Sequence, residues 1–367
     1  ERENMKKVLL IIFAMFCVTL LPAQDNSSKG KFSGLMFGDY YYNVARDTGI
    51  TSLPNAINNG GKDLNGIQFR RIYFTYDYDI SDNFTTRFRL EADQSANTSN
   101  GKIGVYVKDA YINWKNIFSG SNLIVGIQPT PAFEISEAFW GNRFLEKTIM
   151  DARGIVSSRD LAVTLKGKID GDGMFKYWVM YGNGSGNSPE TDKYKRYYAH
   201  IQFSPIKQFT ATLYADLKAR PGITDPKSTS DPKETVSNND LTYALFLGYQ
   251  EKDAFTIGLE GFLNTRQNGF TKNSELKDKS GMGISAFVSY NFMKELAAVV
   301  RYDYYDPNTD TDSKGDMRNW FLLSLNYKVN DKFTLSPNIV IETYEKIPNG
   351  RDIDASVTGR ITFFYTF

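Results

Sequence analysis

From Phe84 to Asp93 the chain reads FTTRFRLEAD, and every second residue is of one kind. Phe84, Thr86, Phe88, Leu90 and Ala92 fall on one face of an extended strand, and Thr85, Arg87, Arg89, Glu91 and Asp93 fall on the other. FTATLYADLK, from Phe209 to Lys218, repeats the pattern. A period of two over about ten residues excludes an amphipathic helix, whose apolar positions recur at three and four. It demands a sheet with one apolar face and one wet face.

Sixteen such segments cover the chain, at about 32–44, 66–80, 84–94, 104–115, 122–129, 159–169, 173–183, 194–204, 207–219, 240–250, 254–266, 281–292, 295–305, 317–329, 332–345 and 353–367. Their connections sort by length. Ser81 to Asn83, Pro205-Ile206, Met293-Lys294 and Asn330-Asp331 are short. Ala45–Asn65, Thr130–Ser158, Arg220–Asn239 and Gln267–Ser280 are long and polar or mixed. Short turns at one end, long loops at the other and an even strand number define an outer-membrane barrel. A soluble sandwich has no reason to sort its loops this way. The expectation is an all-β fold, a sixteen-stranded antiparallel transmembrane β-barrel with its third loop folded inward. Aromatics beside the short turns, among them Trp114, Phe203, Tyr249, Tyr290 and Tyr327, fit a girdle at the headgroup level.

The N-terminal stretch agrees with that location. Met5-Lys6-Lys7, the apolar run Val8 to Leu21 and Pro22-Ala23 read as a signal peptide over residues 5–23. The run is too short for a membrane helix, which needs about 20 residues. Residues 1–4 read as an over-extended start, and 25–367 as the barrel domain. The one cysteine, Cys17, lies in the signal segment, so the mature chain has no disulfide and no thiolate metal site. The formal net charge is +1, which gives no basic excess for nucleic acid. The expected partners are small hydrophilic solutes or anions, outer-membrane lipid and the barrel-assembly machinery. No cofactor is expected.

A sixteen-stranded barrel is too wide for side chains to fill, so a water channel remains. Charges at membrane depth are tolerated where they face water. Arg71, Arg87, Arg89, Glu91, Asp109, Arg196, Arg301 and Arg360 fall on the wet face. The long connection TPAFEISEAFWGNRFLEKTIMDARGIVSS, from Thr130 to Ser158, is too apolar for a surface loop. Folded into the lumen, it would pack Phe133, Trp140, Leu145 and Ile149 on the wall. Glu134, Glu137, Arg143, Lys147 and Arg153 would then line a constriction. Opposed charges there would set a transverse field across the pore.

The segments FRRIYFTYDYDIS, RFRLEAD, VKDAYINW and VGIQPTPAFEISEAFWGNRFLEKT, followed by SSRDLAVTLKGKI, resemble the phosphate-selective porin O/P-like family of Gram-negative porins. The likeness covers about residues 66–169. It implies a sixteen-stranded porin with an inward third loop, often assembled as a homotrimer. Its phosphate preference needs a basic ladder, whereas acidic and basic groups are near balance here.

Enzyme signatures are weak. The single histidine, His200, sits mid-strand, and GNGSGN at Gly182 to Asn187 lacks the spacing of a nucleophile elbow. The alternatives to a porin are a barrel enzyme using His200 and a non-conducting barrel blocked by residues 130–158. Asp306, Asn308, Asp310 and Asp312 resemble the start of a calcium loop but lack its glycine, and read as a solvated loop. The final RITFFYTF, with Phe363, Tyr365 and Phe367 on the lipid face, reads as a closing strand and a signal for barrel insertion.

Overall fold

The computed structural model describes residues 30–52, 60–310, 314–347 and 350–367; the expected signal segment lies outside them. Sixteen strands close into one antiparallel barrel. They are β1 (Gly30–Ala45), β2 (Asn65–Asp79), β3 (Phe84–Asn97), β4 (Ile103–Phe118), β5 (Ser121–Pro129), β6 (Arg159–Lys168), β7 (Phe175–Gly182) and β8 (Arg196–Ile206). The second half is β9 (Phe209–Lys218), β10 (Asp240–Glu251), β11 (Phe255–Lys272), β12 (Glu275–Met293), β13 (Leu296–Asp306), β14 (Arg318–Asn330), β15 (Phe333–Tyr344) and β16 (Ser356–Thr366). Each strand pairs with its sequence neighbours, and β16 pairs with β1 from Leu35↔Thr366 to Ala45↔Val357. Closure leaves no row of unpaired amides facing lipid, the one arrangement of strands that hydrocarbon tolerates.

Alternation decides which face meets lipid. Ile67, Val105, Ile201, Leu213, Leu245 and Leu263 point outward and are exposed. At the short-turn end the outward rings meet across strands: Phe84 with Trp114 at 5.4 Å, Phe175 with Phe203 at 4.8 Å and Tyr249 with Phe255 at 5.8 Å. Among the described residues no helix is long and apolar enough to cross a membrane.

Two long connections differ from expectation. Gln267–Ser280 is not a loop. β11 and β12 run past the barrel rim and turn at Asn273-Ser274, whose φ values are 50° and 62°. Two left-handed residues suit the twist of a two-residue hairpin. The turn carries no glycine, and strands in water on both faces need no alternation, so neither signal was present. Within Arg220–Asn239, Ile223–Thr224 pairs with Thr235–Val236 as a small ribbon.

At the seam, ring and glycine fit together. Phe367 N donates to Gly34 O and Gly34 N to Phe367 O, both at 3.0 Å. A Cβ on Gly34 would lie 2.1 Å from the Phe367 ring, and one on Gly38 would lie 2.7 Å from the Phe363 ring. Phe364 points the other way and stacks on Phe144 of the third loop at 4.9 Å.

Candidate functional site: the lumen and the third loop

Two β-bulges shape the inner wall. The register of β1 with β2 passes from Phe37↔Arg71 to Gly38↔Phe69, so Arg70 is the extra residue. That of β3 with β4 passes from Arg89↔Asp109 to Leu90↔Val107, so Lys108 is extra. A bulge sets two residues against one and re-aims side chains. Arg70 joins Arg71, and Lys108 joins Asp109, in contacts on the wet face: Arg70 Nε lies 2.6 Å from Asp39 Oδ2, and Lys108 Nζ lies 2.9 Å from Glu91 Oε2. Strict alternation, with Arg71 and Asp109 on the wet face, leaves no place there for Arg70 and Lys108, and Asp39 is not among the residues expected there. The adjacent charged pairs Arg70-Arg71 and Lys108-Asp109 were the available signal, because one of two neighbouring charges would otherwise face lipid.

On β2 to β4 the charges interlock. Arg71 reaches Glu91 at 2.6 Å and Asp93 at 2.8 Å. Arg87 pairs with Asp77 at 2.6 Å, and Arg89 with Asp109 at 3.1 Å. Arg159 of β6 also binds Asp109. The guanidinium groups of Arg71 and Arg89 lie over the Tyr73 ring at 5.8 and 5.2 Å. Further round, Arg196 pairs with Asp216 at 2.7 Å.

The connection Thr130–Ser158 carries two short helices, α1 (Glu134–Trp140) and α2 (Ile149–Ala152). Gly141 ends α1 in the left-handed conformation, at φ 60°, and its amide donates to Glu137 O. Phe133, Trp140, Leu145, Ile149 and Met150 are buried. They pack in two clusters: Ile149 and Met150 with Trp178, Tyr198, Tyr214 and Phe262, and Trp140 and Leu145 with Phe246, Phe287, Trp320 and Val340.

Polar anchors come from many strands. Ser136 Oγ donates to Glu260 of β11 at 3.2 Å, Asn326 of β14 to Asn142 Oδ1 at 2.8 Å, and Arg153 meets Glu342 of β15 at 2.9 Å. Arg301 of β13 donates to Lys147 O at 2.5 Å, and Arg360 of β16 to Leu145 O at 3.3 Å. Arg70 of β2 donates to Phe144 O and Leu145 O.

The expected site residues therefore divide. Arg153, Arg301 and Arg360 are buried against the loop or the wall, and Glu91 and Asp109 are buried in the β2–β4 network. Arg87, Glu137, Arg143 and Lys147 keep partial exposure, with Arg143 bridging Glu137 and Asp151 at 3.0 Å each. A cavity of about 590 Å³ lies between Arg71, Lys108, Arg143, Lys147, Arg196 and Lys218. Burial would push the Asp151 carboxyl up, but Arg143 and Lys147 outweigh it and hold it below the ordinary range. Glu134 is exposed at its surface, yet protein atoms surround much of it, and that loss of solvation raises its carboxyl. His200 is buried, beside a small cavity it shares with Phe133, Ser136 and Glu260. Among the described residues, no group of three or more His, Cys, Asp or Glu could hold a metal ion.

Among solved structures, the chain is similar to the outer-membrane channel DcaP of Acinetobacter baumannii, with TM-score 0.63 at 12% identity, covering 94% of this chain and 99% of that one. It is similar to Salmonella typhi OmpF, with TM-score 0.61 at 11% identity and coverage of 94% and 99%. The anion-selective porin of Comamonas acidovorans gives 0.59 at 12% identity, with coverage of 93% and 100%. No family model matches, and no curated protein does. The fold is that of bacterial outer-membrane barrels. A closed sheet with an apolar outer belt places the chain in that membrane.

Proposed function

We propose that this protein is a passive diffusion channel for small hydrophilic solutes, narrowed by residues 130–158 lying within the barrel. One observation carries the reading: side chains from β2, β11, β13, β14, β15 and β16 all reach that segment. Its apolar clusters cover the wall from β6 round to β1. The charged network of β2 to β4 stays on the other side, so the water path runs between that wall and Glu134, Glu137, Arg143 and Lys147.

Selectivity follows from pairing. Arg71, Arg87, Arg89 and Arg196 each have a carboxylate partner within about 3 Å. A paired wall has little net field, in contrast to an unbroken basic ladder. Phosphate preference is therefore not part of the proposal; a mild anion preference is, carried by Lys147 and Lys218. Lys218 Nζ donates to Gly184 O beside the cavity. Catalysis through His200 is disfavoured by its burial. A homotrimer is proposed by likeness to outer-membrane barrels of the same fold, one of which, the outer membrane protein OmpT of Vibrio cholerae, is described in a trimer form. Assembly through the barrel-insertion machinery is proposed from the aromatic closing strand.

Liposome swelling tests the channel. Vesicles holding the purified protein should swell in small sugars and amino acids, at rates that fall with solute size. Swelling no faster than in protein-free vesicles would refute it.

A further inference from the structure

Residues Phe144 to Lys147 join two short helices inside a crowded region, and their carbonyls have to find donors there. Each one is met by a side chain. Arg70 serves Phe144 O, Arg70 and Arg360 serve Leu145 O, the Trp140 indole serves Glu146 O at 2.7 Å, and Arg301 serves Lys147 O at 2.5 Å.

Arg301 has the most demanding position of these. Its Nε and Nη2 bind Asp303 Oδ1 and Oδ2 at 2.8 and 2.6 Å, which leaves Nη1 for Lys147 O. Its plane lies between two indoles, Trp140 of the loop at 5.0 Å and Trp320 of the wall at 5.3 Å. Only a planar fork with several donors can fill a carboxylate, a carbonyl and two ring faces at once. The side chain is 1% exposed, so no solute touches it. The residue whose carbonyl it holds does face the cavity, and Lys147 connects through Asp151 to Arg143 and Glu137.

We infer that Arg301 is a positioning residue: from behind the loop, it fixes where Lys147 and its charged neighbours stand in the constriction. This rests on the channel reading above. The role differs from simple scaffolding in one respect. It makes the effect of the Lys147 charge on ion selectivity depend on Arg301, two residues that meet only through a backbone carbonyl.

The test is a reversal-potential measurement in a potassium chloride gradient on four proteins: wild type, Lys147→Glu, Arg301→Met/Asp303→Leu, and that pair combined with Lys147→Glu. The paired replacement removes both buried charges together, so neither is stranded. Heat-modifiable gel migration verifies folding. In the wild-type background Lys147→Glu should move selectivity toward cations. In the Arg301→Met/Asp303→Leu background that shift should fall by at least half, and single-channel conductance should change by twofold or more. An equal shift in both backgrounds, with unchanged conductance, would overturn the inference. Should the paired variant not fold, Arg301→Lys decides in its place: it keeps a charge beside Asp303 but loses the fork, and unchanged conductance with an undiminished Lys147→Glu shift overturns the proposal. A wild-type protein with no conductance would instead overturn the channel reading, and this inference with it.

Discussion

The seam where the barrel closes offers a quantitative test. A Cβ on Gly34 would lie 2.1, 2.4 and 2.6 Å from three atoms of the Phe367 ring. Carbon atoms rest at about 3.5–4.0 Å, so Gly34→Ala forces the ring off its seat by more than about 1 Å. Overpacking of this kind costs about 1–3 kcal/mol. Against that, alanine relieves the entropic cost of glycine in a strand, about 0.5–1 kcal/mol. The net effect in wild type lies between neutral and a loss of about 2.5 kcal/mol. Removing the ring changes the sum. In a Phe367→Ala background only the relief remains, and Gly34→Ala should stabilise by about 0.5–1 kcal/mol. The coupling between the two positions is then the overpacking itself, about 1–3 kcal/mol. Reversible urea unfolding in lipid vesicles, read by tryptophan fluorescence and gel migration, yields the four free energies. If Gly34→Ala changes stability by the same amount in both backgrounds, within about 0.5 kcal/mol, the ring is not seated on the glycine.

Breaking the Arg153–Glu342 pair should be costly, because both side chains are fully buried. Arg153→Met removes the ion pair and leaves Glu342 the Tyr344 hydroxyl at 3.0 Å and the charge of Arg318, so stability should fall, by at most about 3–5 kcal/mol, as chemical unfolding in vesicles measures. Lys147→Glu alone should shift the reversal potential toward cations. The replacement changes two unit charges, each worth about 1 kcal/mol at about 4 Å in water, or about fivefold in local ion concentration, so a shift below the error of the measurement would place Lys147 away from the ion path. Acidification should act through Glu134 before Asp151. Its folded-state value lies above the ordinary 4.5, so its charge is lost at a pH where Asp151, held low by Arg143 and Lys147, keeps its own. Because the folded value exceeds the unfolded one, protonation of Glu134 stabilises the fold at this residue and leaves the proposed constriction less negative. Anion preference should therefore rise as the pH falls from neutral through the titration of Glu134, and a change toward cations would contradict the assignment.

Much of the barrel was legible because lipid enforces one rule on every strand. The alternation in Phe84–Asp93 and Phe209–Lys218 gave the strands to within a few residues, and the sorted turns gave the topology. The rule fails where lipid no longer applies. Above the rim, β11 and β12 continue through Gln267–Lys272 and Glu275–Ser280 with both faces in water, and no apolar pattern marks them. It fails again at Arg70 and Lys108, where an added residue breaks the parity that alternation assumes. In the lumen, the sequence showed which side chains are charged but not which partners they have. Arg71 beside Glu91 and Arg301 beside Asp303 read alike as wet-face arginines. Only the three-dimensional path of Phe144 to Lys147 separates an arginine on the β2–β4 wall from one sealed behind the loop. Phe364 shows the same limit: its apolar ring on the wet face has no reason in the strand pattern, and gains one from Phe144.

The most direct measurement is single-channel recording of the purified protein in a planar lipid bilayer. Stepwise currents are expected, linear with voltage at low potential and only mildly selective for anions, as the paired charges of β2 to β4 require. Insertion of folded protein with no conductance at any applied voltage would mean that residues 130–158 seal the barrel, and would contradict the channel.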